Sequence, residues 1–366
     1  MKRVLQVIGG MNRAGAETML MNIYRTIDHT QIQFDFVVYR EERQDYEAEI
    51  ETLGGRIFRI TTKNPFKMMM NIRKILNAEG PYIAIHAHTL LNIAFAMLAA
   101  LGTNVVRVAH SHSTRSSVDE NFFYRIYKCF SKGIIRIFSQ RWLACGESAG
   151  EYLFGKAFRT KGVIIYNSVD PQKFSDYDKI KTEDIKSHYE LKDKLVIGSI
   201  ARLEAVKNHA FQIEIAKAMK ERSIPFKMLF IGRGPLENEL RQLVIDMGLE
   251  SDVLFLGVRS DIPELLQVID VFLMPSYFEG NPVTLVEAQA AGVPCVIADH
   301  ITDEIDLHIN LCFRCSLNDD LKSWVDTCLE AKKCREKNFV KIKNALRERN
   351  YDLSTNVELL LKVYGH

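Results

Sequence analysis

Two glutamates eight positions apart are the side chains of this sequence best placed to do chemistry. Glu279 and Glu287 lie in the stretch "SYFEGNPVTLVEAQAAGVPCVIAD", the first in a Gly/Pro-interrupted segment and the second in an apolar run. A helix is predicted to begin near Pro282, with Asn281 before it as the cap. At about 100° per residue, Glu287 falls on the buried side of that helix. An ionised carboxylate there needs donors, which the hydroxyl groups of a ligand supply.

The start of the same helix also predicts an anion site. Side chains on a helix lean toward its N-terminus, which brings Glu287 near backbone N–H groups that the helix leaves unused. Those amides and the helix dipole favour a phosphate, so a diphosphate with a ribose beside it satisfies both features. Glu279 would lie on the far side of the phosphates and reach a sugar. The alternative is a purely structural glutamate pair, held by a cap or a salt bridge. The residues predicted at this site are Asn281, Pro282, Val283, Thr284 and Glu287.

The elements that position these residues follow an alternating pattern. Short β-branched runs alternate with amphipathic stretches, which is typical of parallel sheets covered by helices. Seven runs predict a first sheet: "RVLQVIG", "QFDFVVY", "RIFRI", "YIAIHAH", "VVRVAHS", "RWLACG" and "GVIIYNS". After a polar stretch, five more predict a second: "KLVIGSI", "FKMLFIG", "DVLFLG", "VFLMPS" and "PCVIAD". Such sheets bind ligands beyond the carboxyl ends of their strands.

The length supports the same division, because 366 residues are many for one compact core. The predicted fold is α/β, with two doubly wound, Rossmann-like domains facing each other across a cleft. We predict an N-terminal domain over residues 1–172 and a C-terminal domain over residues 190–348. A C-terminal helix within residues 349–366 is expected to pack back on the N-terminal domain.

Charge and cysteine content restrict the class of partner and the compartment. Lys+Arg against Asp+Glu is 24 against 17 in residues 1–180, or +7, and 24 against 29 in the remainder, or −5. This asymmetry is too mild for a nucleic-acid binder, but it suggests that one half faces something anionic. Seven irregularly spaced cysteines favour a reducing cytoplasm. The N-terminus is too short for a signal peptide, and no run reaches transmembrane length.

Two patterns imitate metal sites without completing one. Cys312 and Cys315 form a single CxxC with no second Cys/His pair nearby, which indicates a structural role. The "DYD" at residues 176–178 lies in the polar stretch with no strand before it, so we interpret it as solvated turn residues. No metal and no cofactor are therefore predicted.

The stretch "FEGNPVTLVEAQAAGVPCV" resembles the Glu, seven residues, Glu motif of retaining GT-B glycosyltransferases of the group 1 and family 4 type. The similarity continues through "IARLEAVKNH", "IGRGPLENEL", "DVLFLG" and "MNRAGAET", in the family's order, and covers nearly the whole chain. The "HSHS" and "VEAQAAG" stretches are most similar to bacterial exopolysaccharide and capsule transferases. The resemblance implies a metal-independent, retaining transfer of a hexose from a nucleotide-diphosphate sugar. A UDP-sugar is the expected donor, because the resembling families mostly use UDP.

The resemblance also implies roles for single residues. Arg202 and Lys207 would bind the donor diphosphate, and fixed cations there stabilise the charge that grows on the leaving phosphate. Gly15 would let the backbone approach the same phosphate, because glycine lacks a Cβ. His110 would hold the transferred sugar, and His86, His88 and His112 are weaker candidates. The alternatives are solvated surface charges for the basic pair and satisfied structural groups for the histidines.

Three further residues complete the predicted nucleotide pocket. Gly257 and Val258 resemble the segment of the family that binds the base, and Gly232 resembles a tight turn that shapes the pocket.

A basic segment suggests the acceptor. Residues 121–142, "NFFYRIYKCFSKGIIRIFSQRW", carry five Lys or Arg among aromatic and aliphatic residues, with no acid. Such a segment suits the surface of an anionic membrane, and a lipid-linked or growing glycan acceptor would explain it. The alternative is a helix packed on the sheet by its apolar side. We expect the protein in the cytoplasm, at most peripheral on the inner face of the cell membrane.

Two other functions are compatible with the same residues. A nucleotide-sugar epimerase of similar architecture would convert the donor without an acceptor. A non-catalytic nucleotide-sugar-binding protein would bind the donor and leave it intact.

Overall fold

The structure, a computed structural model, describes residues 1–62, 64–113 and 122–365. It divides into two compact α/β units. The first comprises residues 1–168 and the chain from Leu353 onward, and the second comprises Val169–Asp352. The sequence had placed the boundaries at 172 and 349. The residues before Leu353 belong to the second unit because Tyr351 is fully buried there and its hydroxyl donates to the Glu304 carbonyl at 3.1 Å.

The first unit is built on a seven-stranded parallel sheet with the order β3-β2-β1-β4-β5-β6-β7. Each strand coincides with one of the seven predicted runs, although β1 and β2 begin one residue before theirs. The strands are β1 Lys2–Val7, β2 Ile32–Val38, β3 Ile57–Arg59, β4 Tyr82–Ala87, β5 Val106–Ser111, β6 Arg141–Ala144 and β7 Val163–Ile164. The helices up to the first boundary are α1 Gly15–Thr26, α2 Glu47–Thr52, α3 Pro65–Ala78, α4 Ile93–Ala99, α5 Phe122–Phe138, α6 Glu147–Phe154 and α7 Phe158–Lys161, with a 3-10 helix at Leu90–Asn92.

The second unit contains a six-stranded parallel sheet with the order β10-β9-β8-β11-β12-β13. Its strands are β8 Leu195–Ile200, β9 Phe226–Ile231, β10 Val253–Gly257, β11 Val271–Met274, β12 Cys295–Ala298 and β13 Cys312–Cys315. Its helices are α8 Gln172–Ser175, α9 Lys179–His188, α10 His209–Glu221, α11 Glu237–Asp246, α12 Ile262–Val268, α13 Val283–Ala290, α14 Leu321–Ala331 and α15 Phe339–Glu348, with 3-10 helices at Ala205–Lys207, Asp303–Ile305 and Lys332–Cys334. The last helix of the chain, α16 Leu353–Val363, returns to the first unit.

These two sheets confirm the predicted α/β class with two parallel-sheet domains. In each sheet the strand order reverses once, between β1 and β4 in the first and between β8 and β11 in the second. A crevice for ligands forms beyond the carboxyl ends of the strands at such a reversal. The candidate residues of both units should therefore be sought at these two points.

Alternation along the strands divides the core of the first unit between the two faces of its sheet. Leu5 and Ile85 belong to the cluster on the face covered by α3 and α4. Val4 and Ala84 belong to the cluster on the other face, with residues of α1 and α16. Side chains two positions apart share a face, so the even-numbered positions of β1, β4 and β5 point toward α1 and α16.

Candidate active site

The loops that follow β8 and β11 are joined at the strand reversal of the second sheet. The Tyr277 N–H donates to the Val206 carbonyl at 2.9 Å. The Lys207 ammonium lies 2.7 and 2.8 Å from the two carboxylate oxygens of Glu279. The structure therefore brings together two of the predicted catalytic side chains, which are 72 residues apart in the sequence.

The ion pair between Lys207 and Glu279 is largely withdrawn from solvent, since the side chain of Glu279 is 7% exposed and that of Lys207 is 23% exposed. A pair with both carboxylate oxygens engaged is among the stronger charge-assisted contacts. The salt-bridged alternative that the sequence left open for a glutamate thus describes Glu279 in this arrangement. The roles predicted for both residues toward a donor stay predictions.

Glu287 lies on α13 with a half-buried side chain, as the helical periodicity predicted. Among the residues that the structure describes, no side chain or amide forms a hydrogen bond or ion pair with its carboxylate. Burial raises the pKa of Glu287 to about 7, and the nearby positive charge of Lys173 opposes this rise. A carboxylate desolvated in this way gains from any ligand that brings hydroxyl donors.

The start of α13 also has the predicted position, since the helix begins at Val283 with Pro282 as its N-cap residue and no side-chain cap. The prediction that Asn281 caps the helix was wrong. Its amide nitrogen instead donates to the Tyr351 hydroxyl at 3.1 Å, because the chain at Tyr351 returns against this loop. The amides of Val283 and Thr284 therefore receive no side-chain acceptor from the helix cap.

Arg202 follows β8 and is 73% exposed, with its guanidinium 3.0 Å from Glu204. Gly232 has a φ of +138°, and a Cβ there would lie 2.0 Å from the Ala201 carbonyl oxygen. Glycine is thus required for the backbones after β8 and β9 to approach each other, which agrees with a tight turn. Gly257 also has a positive φ of +66°, and Val258 is 68% exposed.

Gly15 is the first residue of α1. A Cβ at this position would meet only the Asn167 amide nitrogen within 4 Å, at 3.8 Å. The packing of the described residues therefore does not require glycine here. The predicted approach of a phosphate stays a prediction.

His110 is on β5, which lies next to β4, one of the two strands at the reversal of the first sheet, and it is buried. Its Nδ1 lies 3.2 Å from His86 Nε2. The other nitrogen of His86 lies 2.7 Å from the Tyr364 hydroxyl, to which the Gln6 amide nitrogen donates at 3.2 Å. Gln6 is on β1, and Tyr364 follows α16, so three separate parts of the chain meet here.

His88 and His112 extend the same cluster. His88 Nδ1 lies 2.8 Å from His112 Nε2, and His88 Nε2 lies 3.1 Å from the Gln6 carboxamide oxygen. Burial lowers the pKa of all four cluster histidines well below its usual range, to about 4 for His112, so the rings are neutral near pH 7. One nitrogen of each of His86, His88 and His110 lies within 4.8 Å of the others, which makes a candidate metal group that the sequence did not predict.

Gln6 and Tyr364 are polar residues of this site that sequence reasoning missed. Gln6 interrupts the otherwise apolar strand "VLQVIG", which is a signal, because a buried amide needs partners. The sequence around Tyr364 gives no such signal, because its partner His86 is 278 residues away in the chain.

The basic segment forms α5, and Asn121 at its predicted start lies outside the described residues. Ile134 and Ile135 are buried in the core cluster that also contains residues of α3 and α4. Large apolar side chains remain exposed elsewhere on the helix, within an arc of about 100°. They are Phe122, Phe123, Ile126, Phe130 and Ile137, with exposed fractions between 53% and 79%. The segment thus has both a packed face and an exposed apolar stripe.

The basic residues of α5 are not all available to a membrane. The ammonium of Lys132 lies over the Tyr152 ring, 3.8 Å from its centroid, and donates to the Tyr152 carbonyl. The ammonium of Lys128 is 5.3 Å from the same ring. Arg125 and Arg136 are exposed. Among the described residues, no helix combines the length and apolar character needed to cross a bilayer.

The "DYD" and CxxC patterns, which imitate metal sites in the sequence, each contribute to local structural contacts. The Asp178 carboxylate caps α9 by accepting from two backbone amides. The Cys315 thiol is buried and lies 3.4 Å from the Thr327 hydroxyl.

Known families match both units. The family described as Glycosyltransferase Family 4 matches residues 13–173, and the family described as Glycosyl transferases group 1 matches residues 180–304. A relative in Bacillus subtilis (strain 168), described as "Putative glycosyltransferase EpsF", is 40% identical over 100% of this chain and 96% of its own. The chain is a glycosyltransferase of the group 1 and family 4 type. The predicted family is thereby confirmed, as is its relation to exopolysaccharide and capsule transferases.

A second relative and a solved structure are also similar to this chain. A UDP-Gal:alpha-D-GlcNAc-diphosphoundecaprenol alpha-1,3-galactosyltransferase of Escherichia coli is 35% identical over 141 residues, which are 37% of this chain and 36% of that protein. The crystal structure of Anabaena Alr3699/HepE in complex with UDP matches with a TM-score of 0.79 at 19% identity, over 100% of both chains. The latter shows that the glycosyltransferase has the GT-B fold.

Proposed function

We propose that this glycosyltransferase moves a hexose, with retention of anomeric configuration, from a UDP-sugar to a lipid-linked or growing glycan acceptor. The observation that carries the proposal is the carboxylate of Glu287. It is half-buried with no hydrogen-bond or ion-pair contact among the described residues, and it lies one turn into a helix whose N-terminus has no side-chain cap. Ribose hydroxyls would satisfy the carboxylate, and the amides of the first turn would bind the diphosphate.

Cations beside this helix supply the remaining chemistry. When the sugar leaves, negative charge grows on the departing phosphate, which fixed positive groups stabilise. Lys207 is held at the strand reversal by Glu279, and Arg202 is exposed in the same loop. A diphosphate would compete with Glu279 for the Lys207 ammonium and release the Glu279 carboxylate toward the sugar. The proposed mechanism needs no metal, since these cations and the helix N-terminus take its place.

The nature of the acceptor is proposed from α5 and from the relatives. The galactosyltransferase relative is named for a diphosphoundecaprenol substrate, and the Anabaena structure holds UDP. An exposed apolar stripe on a helix with basic neighbours suits the interface of an anionic membrane. The acceptor would then be presented at the inner face of the cell membrane, to which the protein binds peripherally.

The test is to incubate the protein with a panel of UDP- and GDP-sugars, with and without membrane lipids, in the presence and absence of EDTA. We expect a UDP-sugar to yield UDP and a labelled lipid product of unchanged anomeric configuration, equally well with EDTA. Conversion of the nucleotide sugar without acceptor would indicate an epimerase. Tight donor binding without turnover would indicate a binding protein, and loss of activity in EDTA, restored by Mg²⁺ or Mn²⁺, would contradict the metal-free mechanism.

A further inference from the structure

The buried histidine cluster of the first unit forms a continuous hydrogen-bonded chain whose direction is fixed at Gln6. The Gln6 amide nitrogen donates to the Tyr364 hydroxyl oxygen, and the Gln6 carboxamide oxygen faces His88 Nε2 at 3.1 Å. A carboxamide oxygen can only accept. His88 therefore carries its proton on Nε2.

Tyr364 extends this hydrogen-bonded chain from Gln6 to His86 and His110. Because its oxygen accepts from Gln6, the Tyr364 hydroxyl donates its proton to His86 Nδ1 at 2.7 Å. Neutral His86 then carries its proton on Nε2, and it donates to His110 Nδ1 at 3.2 Å. Neutral His110 must accordingly carry its own proton on Nε2.

The other branch ends at His112. His88 Nδ1 has no proton and accepts from His112 Nε2 at 2.8 Å, which leaves the lone pair of His112 on Nδ1. The chain thus ends in one donor, His110 Nε2, and one acceptor, His112 Nδ1. Both atoms are buried without a partner among the described residues, on rings whose centroids are 4.0 Å apart. A sugar hydroxyl, which both donates and accepts, has the matching chemistry.

A metal ion suits this cluster less well. Zinc takes imidazole nitrogens whose lone pairs are free, and His88 Nε2 faces the Gln6 carboxamide oxygen, which makes it a donor. Both nitrogens of His86 are already engaged by neutral partners. No carboxylate of the described residues contacts the four rings to offset a divalent charge.

We propose that Gln6 and Tyr364 are positioning residues that hold His110 as its Nε2–H tautomer, so that His110 donates a hydrogen bond to an oxygen of the transferred sugar. The inference rests on the proposed function, since it takes that sugar as the ligand. Tyr364 acts through His86 and does not touch the sugar. Its hydroxyl removes the choice between two tautomers that an isolated neutral imidazole would have.

The first arm of the test measures tautomers without requiring activity. In ¹⁵N-histidine-labelled full-length protein near pH 7, long-range ¹H–¹⁵N correlation spectra should show all four cluster rings neutral and protonated on Nε2. Tyr364→Phe should convert His86 and His110 to a mixture of tautomers. Protonation of wild-type His110 on Nδ1, or a metal-bound pattern that a chelator abolishes, would overturn the proposal.

The second arm measures turnover against a matched control. Tyr24 lies in the same core cluster, and its hydroxyl donates to the Gln33 side chain away from the histidines. Tyr24→Phe therefore removes a comparable buried hydroxyl. We expect Tyr364→Phe to lower kcat about three- to tenfold, as for the loss of one hydrogen bond, with unchanged UDP affinity, and Tyr24→Phe to leave both unchanged.

Equal kcat in the two variants, or a Tyr364→Phe effect confined to KM, would overturn the positioning role. If no nucleotide sugar is turned over, the proposed function fails. The tautomer spectra then decide the inference alone, with Nε2–H on His110 supporting it and Nδ1–H rejecting it.

Discussion

Under the proposed function, the carboxyl group of Glu287 should make nucleotide binding depend on pH near neutrality. Its pKa is raised to about 7 by burial, whereas ribose hydroxyls donate best to the ionised form. UDP affinity should therefore rise as the pH increases through about 7. Calorimetric titration from about pH 6 to 8 measures this. Glu287→Gln keeps the shape and removes the titrating group, and should flatten the dependence apart from the ionisation of UDP itself.

Glu287→Ala should weaken UDP binding by roughly 1–3 kcal/mol, the cost of losing hydrogen bonds to a charged acceptor. An affinity equal to that of the wild type would exclude Glu287 from the ribose site.

Substitutions in the Lys207–Glu279 ion pair should change the free energy of unfolding and the turnover to different extents. Removing Lys207 leaves a carboxylate that is 7% exposed without its partner, so Lys207→Ala should lower the free energy of unfolding by on the order of 1–3 kcal/mol. Adding Glu279→Gln should restore much of that loss but not the turnover. Urea unfolding and initial rates of the single and double variants measure the two effects.

Arg202→Ala is the matched control, because its side chain is 73% exposed and its loss should leave unfolding unchanged. It should nevertheless reduce kcat more than donor affinity, since the charge it stabilises grows in the transition state. An effect on KM alone would show that Arg202 contacts only the ground state of the donor.

At the residue scale, the sequence predicted where a side chain lies on its own helix better than which distant side chains it contacts. Helical periodicity places Glu287 correctly, because a period of 3.6 is a local property of the chain. The Lys207–Glu279 contact and the bond between Tyr364 and His86 could not be predicted, since they depend on strands or helices brought together from distant parts of the sequence.

The helix α5 is the element for which structure changes the prediction most. Its exposed stripe is apolar, and two of its lysines contact Tyr152, so binding to vesicles should depend more on Phe and Ile than on charge. Replacing Phe123, Ile126 and Phe130 by Ser should reduce pelleting with anionic vesicles at both low and high salt.

Replacing Arg125 and Arg136 by Gln should weaken the same binding by about 1 kcal/mol per charge, and only at low salt, because a Debye length of about 10 Å at 0.1 M screens exposed charges. Ser substitutions at Ile180, Ile245 and Val340, which are also exposed, provide the control and should have no effect. If the wild type does not pellet with anionic vesicles, α5 is not a membrane-binding element.

At the element scale, sequence patterns recovered twelve of the thirteen strands in the part of the chain that the structure describes. The missed strand, β13, reads "CFRC" and contains no β-branched residue. It is an edge strand that pairs only with β12, so its position depends on that neighbour more than on its own composition.

At the scale of the whole molecule, the buried histidines should make the first unit sensitive to acid. The pKa of His112 is lowered to about 4 by burial, from an ordinary value of 6.5, and burial also lowers the pKa of each of the other three rings well below that value. The unfolded chain therefore binds more protons than the folded chain below about pH 6.5. Stability present above that pH is lost as the pH falls toward 4.

For His112, the expected loss is on the order of 1–2 kcal/mol between about pH 6.5 and 5, and the other three rings add to the loss in the same direction. Urea midpoints across this range measure it, and His112→Asn should reduce the slope. A midpoint that does not change over the range would mean that the rings are not buried as neutral groups.

The division of the first unit between two stretches of chain has a consequence for biosynthesis. The second unit, Val169–Asp352, is continuous and is translated between the two parts of the first. At about 5–20 residues per second, roughly 10–40 s pass between emergence of the sheet of the first unit and synthesis of α16 and Tyr364. Throughout that interval the nascent sheet exposes apolar surface that α16 later covers, so it is a natural substrate for chaperones at the ribosome.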